Sequence, residues 1–226
     1  MGKSMELLGI SLSNIGLREA LRRTNGYLEQ GGLNTIAYVS ARKLLDASED
    51  EQHKTWWNEL DLTICEDVEV LKAAGVVSQN RIKEVEENAY LKEFLKILVR
   101  RHASAFLLAE EEEKLKEFEA ELRLLQSNLY VVGRDTTDHY VENKDGMING
   151  INALAPKVIL SRLPYPEGIH LMHDYRQYLN GSIWLTLPET LVKSSRKGWI
   201  RRVSGLIDKK LLHKKIHRFA QEQEEK

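Results

Sequence analysis

Short runs of apolar residues alternate along the chain with longer amphipathic stretches. The runs at residues 7–12, 35–40 and 105–109 have the length and composition of β-strands. In the stretches at 17–30 and 86–102, apolar side chains recur at the spacing of a helix with one buried face. Strands that are separated by helices need crossover connections, so this pattern predicts a mostly parallel sheet.

The rest of the chain continues the alternation. We predict further strands at residues 60–65, 128–133, 157–161 and 182–187. Further helices are predicted to begin at residue 41 and to cover residues 110–125, 147–154 and 170–179. The predicted fold class is therefore α/β: a Rossmann-like, mostly parallel sheet with flanking helices and a basic helical tail at its C-terminal end.

The overall charge conceals an asymmetry between the two ends of the chain. The 226 residues carry a formal net charge of −1. Residues 193–218 hold ten lysines and arginines against one acid, Asp208, so this segment alone is +9 and the remainder is −10. We therefore predict an α/β domain at residues 1–190 and a basic, amphipathic helical appendage at residues 191–226.

The basic segment is predicted to form a helix over residues 206–219. Its apolar side chains share one face and its lysines largely share the other, which is typical of a helix on an anionic membrane surface. The alternative is a helix that covers the acidic body and exposes its lysines to water. Nucleic acid is not an expected partner, because no aromatic platform interleaves with the basic residues. The residues predicted to contact the membrane are Trp199, Arg201, Arg202, Lys210, Lys214, Lys215 and Arg218.

Several classes of protein are disfavoured by what the sequence lacks. Its longest apolar runs are strand-sized, far below the roughly 20 residues that a membrane-spanning helix needs. A single cysteine, Cys65, leaves no internal disulfide and no cysteine-rich zinc site, and it fits a reducing cytosol. The glycine-rich nucleotide-binding motifs and the His-Glu-x-x-His metal motif are absent. We expect neither a metal nor a cofactor, and we interpret His170 and His173, one helical turn apart, as a surface pair.

Candidate chemistry lies where the predicted strands end, because ligands of parallel sheets bind at the carboxyl ends of the strands. Glu66 and Asp67 follow directly on the strand predicted at residues 60–65. A carboxylate that is held rigidly there can act as a general base. Alternatively, one of the two caps the next helix by accepting hydrogen bonds from its free backbone N–H groups.

Several segments keep the frame of known motifs in the same order along the chain. Residues 60–67 look like Ala-Asp-Leu-x-x-Pro-Asp-Gly, with Glu66 in the place of the second Asp. Arg81 keeps the arginine of Glu-Arg-Val-x-Gly, Ser40 stands in a segment that replaces Thr-x-Asn-Pro, and residues 164–167 are similar to Pro-Lys-Gln-Glu. This succession resembles the WecG/TagA/CpsF family of glycosyltransferases. These bacterial enzymes transfer N-acetylmannosamine or a related sugar from a UDP donor to a lipid-linked acceptor.

The resemblance implies a role in cell-surface polysaccharide or teichoic-acid-type assembly, at the cytoplasmic face of the cell membrane. It implies a nucleotide-sugar, a lipid-linked acceptor and an anionic membrane surface as partners, and it leaves a homo-oligomer open. Glu66, or Asp67, takes the place of the catalytic base. The implied substrate-binding residues are Ser40, Arg81, Arg134, Arg162 and Glu167.

One departure from the family motifs supports an alternative function. The strand that resembles Val-Phe-Leu-Leu-Gly-Gly ends here in Ala109 and Glu110. Glycines at such a place let backbone N–H groups approach a diphosphate closely, whereas Glu110 adds a side chain and a negative charge. The alternative is therefore a catalytically inactive relative that acts as a binding or scaffolding subunit.

Overall fold

The computed structural model describes residues 4–191, 209–216, 218–219 and 221 of the chain. This part contains a two-stranded hairpin and a six-stranded sheet of order β4-β3-β8-β7-β5-β6, in which every pairing is parallel. The strands are β1 (Ser4–Leu7), β2 (Ile10–Ser13), β3 (Asn34–Val39), β4 (Leu62–Cys65), β5 (Ala105–Ala109), β6 (Val131–Thr136), β7 (Val158–Arg162) and β8 (Ile183–Thr186). The predicted α/β fold class is confirmed.

Helices connect the strands of the main sheet. They are α1 (Leu17–Glu29), α2 (Ala41–Ala47), α3 (Glu51–Asn58), α4 (Val68–Ala73), α5 (Gln79–Glu86), α6 (Ala89–Arg100), α7 (Glu112–Leu125), α8 (Lys144–Leu154) and α9 (Glu167–Tyr175). Residues 209–216 form a further helix. Across the described ranges, every helix falls short of the length and apolar content that crossing a bilayer requires.

Each face of the main sheet carries its own hydrophobic core. On one face, α2, α3, α8 and α9 pack with the hairpin around the buried side chains of Trp57 and Trp184. On the other face, α1, α6 and α7 pack around Phe94 and Phe118. Strand β5 is buried along its whole length, as a strand covered on both faces must be.

The prediction of one strand at residues 7–12 is wrong, because these residues belong to the two arms of the hairpin. Leu8 and Gly9 form its turn, with φ angles of 57° and 79°. Positive φ at both central residues is what a two-residue type I′ turn requires. The second arm then covers the sheet edge at β4, where Ser13 N–H donates to Thr63 Oγ1 (2.7 Å) and Thr63 N–H donates to Ser13 Oγ (3.2 Å).

Other elements also differ from their predicted bounds. The helix predicted over residues 86–102 is α6 at Ala89–Arg100, and Asn88, at a φ of 48°, separates it from α5. The strand predicted at residues 128–133 is β6 at Val131–Thr136, because a turn comes first in which the guanidinium of Arg123 donates to the carbonyl of Leu129 (2.6 Å). The helices α3, α4 and α5 were not predicted.

Candidate functional site

The strands β3 and β4 end side by side at the carboxyl edge of the sheet. Val39 and Cys65 are paired in register, so Ser40 and Glu66 follow at neighbouring positions. Ser40 begins α2 as its N-cap, and its hydroxyl accepts a hydrogen bond from the Lys43 N–H (3.3 Å). The parallel register therefore brings two of the predicted site segments together.

Asp67 joins the beginnings of two helices. Its Oδ2 accepts a hydrogen bond from Ala41 N–H at the start of α2 (2.9 Å), and its Oδ1 accepts one from Val70 N–H in α4 (3.1 Å). Burial raises the pKa of Asp67 to about 6, although these two backbone bonds favour the ionised form. Because both carboxylate oxygens are engaged by backbone, the geometry supports the capping role of Asp67.

Glu66 has a different environment from its neighbour. Its backbone N–H donates to the carbonyl of Val39 (2.7 Å), which extends the pairing of β3 and β4 by one residue. Its Oε2 lies 3.2 Å from Nζ of Lys43, and the same ammonium donates to the carbonyl of Tyr38 (3.0 Å). The Glu66 side chain is 15% exposed to solvent. Glu66 is thus a carboxylate held at the carboxyl edge by a lysine.

Arg81 lies on α5 beside a small cavity. Its Nη1 donates to Asn14 Oδ1 (3.2 Å), and its Nε lies 3.5 Å from Glu84 Oε2. The cavity also touches Tyr38 and Cys65 and measures about 40 Å³, whereas pockets for small molecules usually hold about 300–1,000 Å³. Burial raises the pKa of Cys65 to about 12, so this thiol is not a nucleophile at neutral pH.

Arg162 is the last residue of β7 and is paired in register with Ala109, the last residue of β5. Its side chain is 8% exposed, and its Nη2 donates to Glu121 Oε2 on α7 (3.0 Å). The guanidinium also lies 4.6 Å from the ring centroid of Phe118. Burial lowers the pKa of Arg162, and the nearby carboxylate of Glu121 opposes that shift.

The remaining predicted substrate-binding residues, Arg134 and Glu167, have charged partners of their own. Arg134 is exposed on β6, where its Nη1 lies 2.5 Å from Glu119 Oε2. β6 and β4 are the two outer strands of the main sheet, about 24 Å apart at the usual strand spacing. Glu167 begins α9, and its Oε1 lies 3.9 Å from Lys144 Nζ. The structure therefore does not bring Arg134 together with Glu66.

The described part of the basic tail packs on the body of the protein. Leu212 is fully buried in the core that contains α2 and α3, and Ile216 and Phe219 pack against the same core. Nζ of Lys215 donates to the carbonyl of Leu45 (3.3 Å). This arrangement is the predicted alternative in which the helix covers the body.

The basic residues predicted to contact the membrane fall into three groups. Lys210, Lys214 and Arg218 are exposed on the docked helix. Nζ of Lys215 instead lies 2.9 Å from Glu49 Oε1. Trp199, Arg201 and Arg202 lie outside the described residues. Membrane contact stays a prediction.

The histidines that were interpreted as a surface pair have separate partners. His170 stacks on Trp56 with ring centroids 4.5 Å apart, and its Nε2 lies 3.0 Å from Asp174. His173 Nδ1 lies 2.7 Å from Glu59 Oε2. Within the part of the chain that the structure describes, no three His, Cys, Asp or Glu side chains are placed to hold a metal ion.

Two residues of the site were missed by the sequence analysis. Lys43 lies in the first turn of α2, where the helix dipole disfavours a cation, so a lysine there is a signal for a nearby acidic partner. Glu121 is one of many glutamates in α7, and nothing in its local sequence distinguishes it from the exposed ones.

The parallel sheet and the polar groups at its carboxyl edge define an α/β protein of the kind that binds ligands at the ends of its strands. Residues 5–192 match a family model described as Glycosyl transferase WecG/TagA/CpsF family. The chain therefore belongs to the WecG/TagA/CpsF family of glycosyltransferases. A search of the curated proteins found no match. The family match ends just before the basic tail, and the division of the chain into two parts stays a prediction.

The double cap made by Asp67 leads to a prediction about stability and pH. The pKa of Asp67 in the folded state, about 6, lies above the ordinary value of 3.8. Between these two pH values the folded state therefore keeps a proton that the unfolded state has already lost. The contribution of Asp67 to the free energy of unfolding is therefore complete below pH 3.8, and it declines as the pH rises through about 6. Asp67→Asn replaces one acceptor by a donor, and we expect it to lower the free energy of unfolding by about 1–2 kcal/mol, most strongly at low pH.

Urea denaturation across this pH range checks the prediction, with Asp50→Asn as the matched control. Asp50 caps α3, and hydrogen bonds from Gln52 N–H and His53 N–H lower its pKa. Its contribution is present above the ordinary pKa and is lost as the pH falls, so its pH dependence has the opposite sign. If the two variants show the same dependence on pH, the assignment of Asp67 is incorrect.

Proposed function

We propose that this chain transfers a sugar from a UDP-sugar to a lipid-linked acceptor, with Glu66 as the general base. The observation that carries the proposal is the position of Glu66 at the end of β4, where Lys43 fixes one of its carboxylate oxygens. The rigid attachment of this turn through Asp67 supports the same assignment, because a base must be aimed at the proton that it removes.

In the proposed reaction, Glu66 takes the proton of the acceptor hydroxyl while the hydroxyl oxygen attacks the anomeric carbon of the sugar. The bond between this carbon and the diphosphate oxygen breaks, and UDP leaves with the electron pair. Arg81 and Arg162 are the proposed cations that neutralise the departing diphosphate, a role that elsewhere often falls to a metal ion. Asp67 acts as a positioning residue, because its oxygens are held by the backbone.

We propose that the docked tail meets the cytoplasmic membrane face mainly by charge. Leu212 is buried against the body, whereas Lys210, Lys214 and Arg218 are exposed together with one apolar side chain, Leu211. Lysine and arginine side chains near an anionic leaflet each contribute about 1 kcal/mol of attraction. This arrangement brings the body to lipid-linked acceptors without inserting the helix.

A second candidate function is that of a family member that binds without turnover. Two ion pairs among the described residues favour it, because they occupy the arginines that would hold the diphosphate. Arg81 pairs with Glu84, and Arg162 pairs with Glu121. Glu110, in the place of a glycine, pairs with Lys114 at the start of α7. The cavity of about 40 Å³ beside Arg81 also favours it, because a nucleotide-sugar needs more room.

The reaction is tested by incubating the purified chain with UDP-sugars and a lipid-linked acceptor. Glu66→Gln removes the base and keeps the shape of the side chain, so we expect transfer to fall by about 10²–10⁴-fold. The shift in melting temperature caused by UDP should persist in this variant. The matched control is Glu69→Gln, which alters another carboxylate near lysines, 3.6 Å from Lys72 Nζ, and should retain activity.

The outcomes separate the two candidate functions. If the wild-type chain shows no thermal shift with any nucleotide-sugar, the transferase proposal fails. A shift without transfer would instead support the second candidate. Full transfer activity in Glu66→Gln would remove the assignment of the base while leaving the reaction in place.

The tail is tested by sedimentation with anionic lipid vesicles. Lys210→Glu together with Lys214→Glu should weaken vesicle binding by about tenfold or more, because two attractive charges become repulsive. The control is Lys92→Glu with Lys116→Glu, which reverses two exposed charges on the body. Equal losses in the two double variants, or no loss in the first, would contradict membrane contact through the tail.

A further inference from the structure

The carboxyl ends of β5 and β7 lie where the strand order reverses, because the chain continues outward from β5 to β6 and, in the opposite direction, from β7 to β8. The helix α7, which follows β5, packs on one face of the sheet, and α9, which follows β7, packs on the other. Ligands of open α/β sheets bind at such a point, outside the carboxyl ends of the strands. Arg162 and Ala109 are the paired last residues of these two strands. Arg162 therefore lies at the point of the sheet where such ligands bind.

The guanidinium of Arg162 is only partly satisfied by its partner. The side chain is more than nine-tenths buried, and its Nη2 donates to one oxygen of Glu121 (3.0 Å). In the described structure, Nε of Arg162 is also buried and has no hydrogen-bond partner. A guanidinium can donate two parallel N–H bonds to a carboxylate or phosphate. The single bond from Glu121 leaves half of that pattern unused.

The same oxygen of Glu121 has a second donor. Leu191 N–H donates to Glu121 Oε2 at 2.6 Å, so this oxygen holds both the arginine and the segment that follows β8. The carboxylates of Glu117 and Glu189 add further negative charge around Arg162. While Glu121 is in place, a second anion at Arg162 would meet one cation and several carboxylates. An anion must therefore displace Glu121 in order to bind.

We infer that Glu121 is an internal competitor that occupies the oxyanion position of Arg162, and that a diphosphate binds there by displacing it. The inference rests on the proposed function for the class of ligand, since the diphosphate is the part of a UDP-sugar that carries the charge. It adds a regulatory consequence: displacement of Glu121 also releases the Leu191 amide. Ligand binding at Arg162 is thereby coupled to Leu191, which follows β8.

Calorimetric titration of the full chain with inorganic pyrophosphate, UDP and uridine tests the inference. Glu121→Gln removes the competing charge and keeps an oxygen for Leu191, so we expect about tenfold tighter binding of pyrophosphate and UDP. Uridine, which has no phosphate, should bind no better to the variant. The matched control is Glu119→Gln. Glu119 lies on the same helix as Glu121 but pairs with Arg134, so this variant should leave the binding of pyrophosphate and UDP unchanged. Adding Arg162→Gln to Glu121→Gln should abolish the gain.

Unchanged or weaker binding by Glu121→Gln, or an equal gain in Glu119→Gln, would overturn the inference. If Glu121→Gln does not fold, the wild-type chain still provides a test, because saturating pyrophosphate should accelerate hydrogen exchange at the Leu191 amide. Unchanged exchange there would count against displacement. Failure of the proposed function is distinguishable, since tighter pyrophosphate binding without sugar transfer supports the inference alone, and transfer without tighter binding supports the function alone.

Discussion

The carboxylate of Asp67 is the constraint on which the candidate site depends. It accepts backbone hydrogen bonds at the starts of two helices that follow neighbouring strands, and it thereby fixes the turns that carry Ser40 and Glu66. A flexible side chain at this position would leave both turns without a common anchor. The cost is the burial of a carboxyl group, which shows in its raised pKa. The proposed function thus gives positioning to Asp67 and catalysis to the adjacent Glu66.

The carboxyl edge of the sheet is a surface of paired charges. Lys43 pairs with Glu66, Arg81 with Glu84, and Arg162 with Glu121. Enclosed charges need such partners, because an unpaired ion away from water is costly. In our proposal, a charged ligand at this edge replaces the partner that the protein itself provides. Pairing with acidic side chains thus lets the fold keep partly buried arginines such as Arg81, although the cavity beside Arg81 measures only about 40 Å³.

The alternation of apolar strands with amphipathic helices was sufficient to predict the parallel sheet, and it placed Ser40 and Glu66 at the ends of two strands, whose pairing the structure then showed. The alternation did not predict the turn of the hairpin, because Leu8 adopts a positive φ there and leucine is not a residue that indicates this conformation. The pairing of Arg162 with Glu121 joins residues 41 positions apart, so local spacing contains no sign of it. The packing of the tail also required the tertiary structure, because an amphipathic helix suits a membrane and a protein core equally.

The central claim is a direct attack of the acceptor on the sugar, with Glu66 as the single base. A single displacement at the anomeric carbon inverts its configuration, whereas a covalent intermediate would retain it. Proton NMR of the product formed from an α-linked UDP-sugar measures this configuration directly. The account predicts a β-linked product from the wild-type chain. An α-linked product, or no transfer to any lipid-linked acceptor, would contradict it.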